Sequence, residues 1–300
     1  MYVVMGATGN TGNVVANSLL GRGQKVRAIG RSAERLKTLA AKGAEAFVGD
    51  IADAQTLSDA FTGAEAAYVM IPPNMGVHDF RAYQDRVSEA IGAAIEKARI
   101  EYVVSLSSIG ADKAEHTGPV VGLHLLERRL NRIAGLNVCH LRAGYFMENT
   151  LAQIGIIKAH GIASGPLRPD LKLPMIATRD VGAFAAEALW GLDFRKQETC
   201  ELLGQRDIGM SEAAAIIGGA IGKPGLAYSH APDEQVRMAL TQLGLSMNLA
   251  NLILEMSAAL NSGYMRALEQ RSARNTTPTS YEAFVAEEFA PLYERQSAAA

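Results

Sequence analysis

Three glycines spaced three residues apart, in Gly6-Ala7-Thr8-Gly9-Asn10-Thr11-Gly12, follow an apolar run at the start of the chain and precede a helical pattern. No other feature restricts the fold as strongly. Glycine at each position lets the backbone turn tightly, approach a pyrophosphate and pack the helix against the strand, while the helix N-terminus aims free amides at phosphate oxygens. A lone triplet is a weak signal. Placed after a first strand and ahead of a regular strand–helix series, it predicts a dinucleotide site with Gly6, Thr8, Gly9, Asn10, Thr11 and Gly12 around the phosphates.

That series is explicit in the periodicity. Apolar runs predict strands at residues 2–5, 25–29, 45–48, 66–71, 101–106 and 137–141. Between them, apolar residues at three- and four-residue spacing predict helices at 11–22, 33–42, 54–61, 79–99 and 123–134, with Gly43, Gly63 and Gly135 at C-cap positions. Short connections between such elements imply right-handed crossovers and an α/β fold: a Rossmann-type doubly wound parallel sheet. Past residue 145 the rhythm loosens, with turns at Gly161, Gly165-Pro166 and Arg168-Pro169-Asp170. Helices are predicted at 179–190, 211–221, 233–243, 247–260 and 281–289, the last capped from Pro278-Thr279-Ser280. No low-complexity linker intervenes. The expected organisation is an NAD(P)-binding domain over 1–145 and a smaller, mainly helical substrate-binding or lid region over 146–300, interleaved with it.

The residue after the second strand selects the cofactor. NAD sites place Asp or Glu there for the ribose hydroxyls, whereas this chain has Gly30-Arg31-Ser32, a cation and a hydroxyl suited to a 2′-phosphate. One charge-assisted hydrogen bond is worth about 1.5–3 kcal/mol, on the order of a ten- to hundredfold preference for NADPH over NADH. Lys37 is a second candidate for the same phosphate; the alternative is that Arg31 is a solvated strand end. Asp50 and Ile51 are expected beside the adenine, with Asp50 equally suited to cap the next helix. Ile71 and Pro72 are expected along the pyrophosphate and nicotinamide ribose.

Composition narrows the remaining classes. With 48% hydrophobic and 20% charged residues and a formal net charge of −2, the chain has the usage of a soluble α/β protein and no basic surplus for nucleic acid. It has no run of about eighteen apolar residues and no basic, apolar leader pattern, so no membrane association and a cytoplasmic location are expected. Cys139 and Cys200 lie in apolar stretches that read as strands, 136–141 and 199–203, and are expected to be buried in a reducing compartment. The six histidines form no metal-binding motif, and no G-x-S-x-G occurs, so neither a metal site nor a serine hydrolase is expected. Glu127-Arg128-Arg129-Leu130-Asn131-Arg132 reads as a solvated helix face. The methionine-rich tract 247–265 suits either helical core or an adaptable lid over an apolar substrate.

Several segments together resemble a known family. The opening turn and Arg31, the strand Val103-Val104-Ser105-Leu106-Ser107-Ser108, the segment Leu141-Arg142-Ala143-Gly144-Tyr145-Phe146-Met147-Glu148-Asn149 and the stretch from Pro174 to Gly182 are similar to the NmrA-like branch of the atypical short-chain dehydrogenase/reductases. The likeness spans almost the whole chain, and the last two segments are the more specific ones. It implies a Rossmann domain, a helical substrate region and a cleft between them. It also implies one of two activities: NADPH-dependent reduction of quinones, azo or triphenylmethane dyes or isoflavone-type substrates, or NADP binding by a regulator.

The resemblance also exposes a departure. Short-chain dehydrogenases carry Tyr-x-x-x-Lys, in which the lysine lowers the tyrosine pKa for proton exchange with a carbonyl. Counted back from Glu127, those positions hold Pro119 and Leu123, and neither donates a proton. Ser107 stands where the family has its catalytic serine, or merely ends a strand. His124 and Tyr145 are the candidate proton donors; their alternatives are a packed helix histidine and a core aromatic. The expected function is an NADPH-dependent oxidoreductase that transfers hydride to a flat apolar or aromatic acceptor such as a quinone or azo compound, with solvent supplying the proton. The rival is a non-catalytic NADP(H)-binding redox sensor or transcriptional regulator acting through a protein partner. An isomerase or lyase lacks a base, and the sequence is compatible with a homodimer.

Overall fold

Burial on both faces dictates the central layer. The computed structural model describes residues 1–298. Its first half runs β1 (Tyr2–Val4), α1 (Asn10–Gly21), β2 (Val26–Gly30), α2 (Ala33–Ala40), β3 (Glu45–Val48), α3 (Ala54–Phe61), β4 (Ala66–Val69), α4 (Phe80–Ala98), β5 (Tyr102–Ser108), α5 (Val120–Leu130) and β6 (Asn137–Ala143). The apolar strands β1 and β4 are buried at every position, as expected of central parallel strands covered by helices on both sides. Short polar side chains cap the helices where the chain leaves the sheet: Asp53 receives the Thr56 amide at 2.6 Å and Asp79 the Ala82 amide at 3.0 Å.

The second half begins with β7 (Tyr145–Phe146), a 3₁₀ turn (Met147–Ala152), α6 (Gln153–His160), β8 (Ala163–Gly165), β9 (Lys172–Ile176) and α7 (Thr178–Gly191). It continues through β10 (Gln197–Leu202), β11 (Asp207–Gly209), α8 (Met210–Ala220), β12 (Tyr228–His230), α9 (Asp233–Gln242) and α10 (Met247–Asn261). It ends in α11 (Tyr281–Phe284), a π-helical turn (Val285–Phe289) and α12 (Ala290–Ala298). Seven strands form one parallel sheet in the order β10-β6-β5-β4-β1-β2-β3. The doubly wound sheet is the expected fold, and its reversal of direction falls beside β1, where β1 pairs with both β2 and β4.

The structure departs from the sequence expectation in several places, among them the unexpected helices α6 and α12. α5 begins at Val120 rather than residue 123, because Pro119 already holds a helical φ of −60°. The strand read at 199–203 starts two residues earlier and pairs in parallel with β6, with Cys200 opposite Leu141, so a second-half strand completes the first-half sheet. The strands β7 to β9, β11 and β12 build two small sheets, β11-β9-β7 and β12-β8, which residue patterns do not announce. Runs of two to five residues are too short to show an alternation.

Three cores hold these layers. Val15, Leu19, Leu36, Val181 and Leu189 fill one side of the sheet, and Leu57, Phe61, Val87, Ile91 and Leu126 the other. Met147, Ile154, Ile217, Tyr281, Phe284 and Phe289 form the third, within the C-terminal region. α7 rests directly on α1: a Cβ on Gly182 would stand 2.7 Å from both the Thr11 oxygen and Val14 Cβ, so only glycine permits the contact. Two residues earlier, buried Asp180 accepts from the Thr279 amide at 3.0 Å and its hydroxyl at 2.7 Å, tying the C-terminal helices to the same helix.

Cys139 and Cys200 are buried and unbridged, and burial pushes their thiols up to about 12 and about 11. His140, on β6 at 1% exposure, is pushed down to about 4 by burial, with Nε2 2.9 Å from Asn131 Oδ1. A histidine held neutral in the folded state stabilises it above the unfolded pKa of about 6.5 and loses that contribution as pH falls toward its folded value. Unfolding free energy is therefore expected to drop by about 2 kcal/mol from this group between pH 7 and pH 5. Urea titrations of wild type and His140→Gln measure it; the same pH slope in both would remove His140 as the cause.

Candidate functional site

The glycine turn leaves β1 and enters α1 as a phosphate-sized cradle. Gly6 takes a left-handed φ of +61°, and the Gly9 amide closes the turn on the Gly6 carbonyl at 2.8 Å. Gly9 is the N-cap of α1, with no side chain capping it and no acid in the first turn, so the free amides and the positive end of the helix dipole face outward. Gly12 has a different task. A Cβ there would lie 2.4 Å from the Gly6 oxygen and 2.8 Å from the Met5 oxygen, so Gly12 lets the helix sit against the strand end and does not itself line the cleft.

Above the turn, a cleft of about 1110 Å³ runs along the C-terminal ends of β1 to β4. Gly6, Thr8, Gly9, Asn10 and Thr11 line it, as do Arg31, Asp50, Ile51 and Pro72. Thr11 is fixed by the Tyr68 hydroxyl, which donates to its Oγ1 at 2.9 Å. Lys37 is absent from this wall; it pairs with Glu34 at 2.5 Å on the exposed face of α2. Arg35 takes the place expected of Lys37. Two residues apart on α2, Arg35 and Lys37 stand about 200° apart around the helix axis, so when Arg35 faces the cleft Lys37 faces away. Its guanidinium donates to the Thr8 carbonyl at 3.1 Å. Arg86, from α4, is a third cation on the wall and has no sequence signal, since only the fold brings α4 there.

Two nearby side chains have local structural roles. Ser32 is the N-cap of α2, its Oγ accepting the Arg35 amide at 3.4 Å. Asp50 is not a helix cap, a role Asp53 performs; its Oδ1 accepts the Ala52 amide at 3.0 Å in a side-chain turn that aims the loop into the cleft. At this end Tyr83 donates to the Pro72 carbonyl at 3.0 Å, and burial pushes its phenol up against the pull of Arg31 and Arg86.

The other end of the cleft meets Phe146, Glu148, Asn149 and Thr178. Glu148 Oε1 accepts from the Thr178 amide at 2.9 Å and its hydroxyl at 2.5 Å, and so caps α7. Its Oε2 is buried without a partner. Met70, Pro73, Leu106, Phe146 and Asn149 are shared with a second, more apolar cleft of about 310 Å³. Ile71 belongs to this second space rather than the first, and so do Pro119 and Leu123, the positions of the absent tyrosine and lysine. Met256, Leu260 and Met265 also line it, while Leu249 and Leu252 of the same tract are buried in a core, so the methionine-rich stretch supplies both lining and packing.

The three candidate catalytic residues part company. Ser107 lines the second cleft but turns its hydroxyl to Glu127, donating to Oε1 at 2.6 Å. Glu127 also receives Arg142, opposite Ser107 on β6, at 3.0 Å and 2.7 Å. The solvated helix face expected from residue 127 onward is thus wrong at its first member: Glu127 is 4% exposed, because Arg142 on the sheet supplies a charge that no helical pattern reveals. His124 points elsewhere, with Nδ1 2.8 Å from the Ala111 carbonyl, and lines neither cleft. Tyr145 does line the second cleft; hydrogen-bonded with Asn149, it is pushed up to about 12 by burial. It remains a neutral hydrogen-bond donor at ordinary pH.

Among the described residues no group of three His, Cys, Asp or Glu could hold a metal ion, and no helix is long and apolar enough to cross a membrane.

A doubly wound sheet with a glycine cradle, a cationic cleft at its switch point and a helical second region defines a class of nucleotide-binding α/β proteins. Within it, the chain belongs to the NmrA-like family, whose model matches residues 2–290. It is 27% identical to the NAD(P)H azoreductase of Xenophilus azovorans over 266 residues, 88% of this chain and 89% of that protein. It superposes with a TM-score of 0.79 on an NADPH-dependent quinone oxidoreductase of Escherichia coli complexed with NADPH, at 23% identity over 98% of this chain and all of that one. A Citrobacter sp. triphenylmethane reductase complexed with NADP(H) gives 0.77 at 19% identity over 96% of this chain and all of that one. These two solved structures share the fold.

The Ser107–Glu127–Arg142 group has a structural consequence. Glu127→Ala strands the Arg142 guanidinium in the interior and is expected to cost about 3–5 kcal/mol in urea unfolding, whereas Ser107→Ala removes one hydrogen bond, about 1 kcal/mol. A Glu127→Ala variant as stable as wild type would show that the buried pair does not hold β6 to α5.

Proposed function

We propose that the protein is an NADPH-dependent oxidoreductase that reduces a flat apolar acceptor, a quinone or an azo compound. The observation that carries this reading is the continuity of the two clefts: a long one with three arginines on its wall shares Met70, Leu106 and Phe146 with a smaller, more apolar one. The azoreductase and quinone oxidoreductase relatives support it.

The residues fit a dinucleotide. The uncapped α1 amides and Gly6, Thr8, Gly9 and Asn10 would hold the pyrophosphate, Arg31 and Arg35 the 2′-phosphate, and Asp50 and Ile51 the adenine. The unpartnered Glu148 Oε2 is an acceptor left for a hydroxyl or amide of the bound cofactor. Bound reduced nicotinamide supplies the hydride. The chain's own part is to hold the acceptor face to face with it, exclude water and complement its polar atom. Leu106, Phe146, Met256 and Leu123 provide a dry wall, and Tyr145 offers a neutral hydroxyl. With Pro119 and Leu123 in place of the tyrosine and lysine, no side chain delivers the proton; the reduced acceptor takes it from solvent.

Purified protein is expected to oxidise NADPH, read at 340 nm, with quinones or azo dyes, and faster than NADH. Arg31→Asp is expected to weaken NADPH tenfold or more with a much smaller effect on NADH, and Gly9→Val to abolish binding of both. Equal loss of the two nucleotides in Arg31→Asp would remove the 2′-phosphate assignment. Tight NADPH binding with no turnover on any acceptor would overturn the enzyme reading in favour of a sensor. Tyr145→Phe is expected to lower kcat/KM about tenfold, near the value of one hydrogen bond, without shifting the pH profile below pH 10. An alkaline limb that disappears in this variant would make Tyr145 a titrating acid instead.

A further inference from the structure

Arg266 is the single charged residue lining the second cleft, on a wall otherwise built from apolar side chains and a few neutral polar ones. It makes no hydrogen bond or ion pair among the described residues, and no carboxylate lines the same space. Other carboxylates of this region are engaged: Glu255 pairs with Arg81 at 3.2 Å, and Glu269 accepts the Glu201 amide at 3.1 Å. Arg266 is exposed as a residue while it also lines the cleft, which puts it at the mouth.

The loop that carries it is pinned. Arg266 lies in the irregular segment between α10 and α11, where a loop of this length is costly in entropy unless something orders it. Glu201, 1% exposed on β10, takes the Leu268 and Glu269 amides at 2.6 and 2.8 Å. The Met265 amide donates to the Ala259 carbonyl at 3.0 Å, and Arg271 donates to the Leu203 carbonyl at 2.9 Å. Hydrogen bonds, two of them to a buried carboxylate, thus hold the loop of an unpaired cation at the edge of a mainly apolar pocket.

We propose that Arg266 is a specificity-determining residue that takes an anionic substituent, a carboxylate or sulfonate, of an aromatic acceptor whose rings fill the second cleft. This rests on the reading of that cleft as the acceptor site. An acidic aromatic gains a charge-assisted contact at the rim; a neutral one forgoes it; a cationic one meets an uncompensated like charge.

The test separates the two readings. Naphthalene-2-sulfonate and its neutral isostere, methyl 2-naphthyl sulfone, are titrated into the NADP⁺-loaded protein at low salt and followed by calorimetry, so that no turnover is required. The sulfonate is expected to bind about tenfold more tightly, with the ratio collapsing toward one in Arg266→Ala, partly kept in Arg266→Lys, and shrinking as salt is raised. Equal affinities in wild type, or a ratio unchanged in Arg266→Ala, overturns the assignment. Azo acceptors with and without a carboxylate then report turnover, the acid preference being expected in KM rather than kcat. If neither dye is reduced while the sulfonate preference holds and falls with Arg266→Ala, the anion site stands and the oxidoreductase reading fails. If both are reduced with equal kcat/KM, in wild type and variant alike, the oxidoreductase reading stands and Arg266 has no part in specificity.

Discussion

The approach of α1 to the end of β1 is the constraint on which the rest of the molecule depends. Gly12 brings the helix to the strand with no room for a Cβ, and Gly182 brings α7 onto the outer side of the same helix. Interiors are packed at crystal-like density, so a methyl group inserted at either contact would have to move a whole element. These two contacts set the direction in which the first-turn amides of α1 point. They also fix where α7 starts, and therefore where Glu148 and Thr178 close the far end of the cleft. One helix is the reference for both ends of the site.

The second half of the chain is built into this arrangement rather than hung from it. β10 extends the main sheet beside β6, Asp180 gathers the Thr279 loop, and Glu201 gathers the loop of Arg266. In the last two cases a buried carboxylate receives backbone amides that no helix or strand satisfies. A charged acceptor makes stronger hydrogen bonds than a neutral one, and irregular chain needs such anchors because it has no ladder of its own. The second cleft is consequently lined from both halves, with Leu106 and Leu123 from the first and Tyr145, Met256 and Met265 from the second.

The chemistry of this cleft is defined by what its side chains are unable to do. Ser107 is committed to Glu127, His124 lies outside the cleft against a backbone carbonyl, and the tyrosine and lysine positions are filled by Pro119 and Leu123. What remains is shape, apolarity, the neutral hydroxyl of Tyr145 and the cation at the rim. That inventory suits an acceptor reduced by hydride and protonated afterwards by solvent, and it is poorly matched to reversible oxidation of an alcohol, which needs a base beside the carbon.

Much of this was legible in the residues themselves. The glycine spacing, the run of strand–helix repeats, Arg31 and the loop residues Asp50 and Pro72 depend on local geometry, and local geometry is written in consecutive residues. The same holds for Tyr145 in its segment. The sequence did not determine which of several cations would line the cleft: Lys37 and Arg35 differ only in their angle around α2, and Arg86 arrives from a helix far along the chain. Nor did it determine that Glu127 would be buried, since a glutamate in a charged helical run is solvated unless a partner such as Arg142 comes from a neighbouring strand. The small sheets, the closing strand β10 and the isolation of Arg266 are likewise tertiary. The physical reason is common to all of them: backbone conformation follows from near neighbours, whereas pairing, burial and exposure of a charge depend on residues that only the completed fold brings into contact.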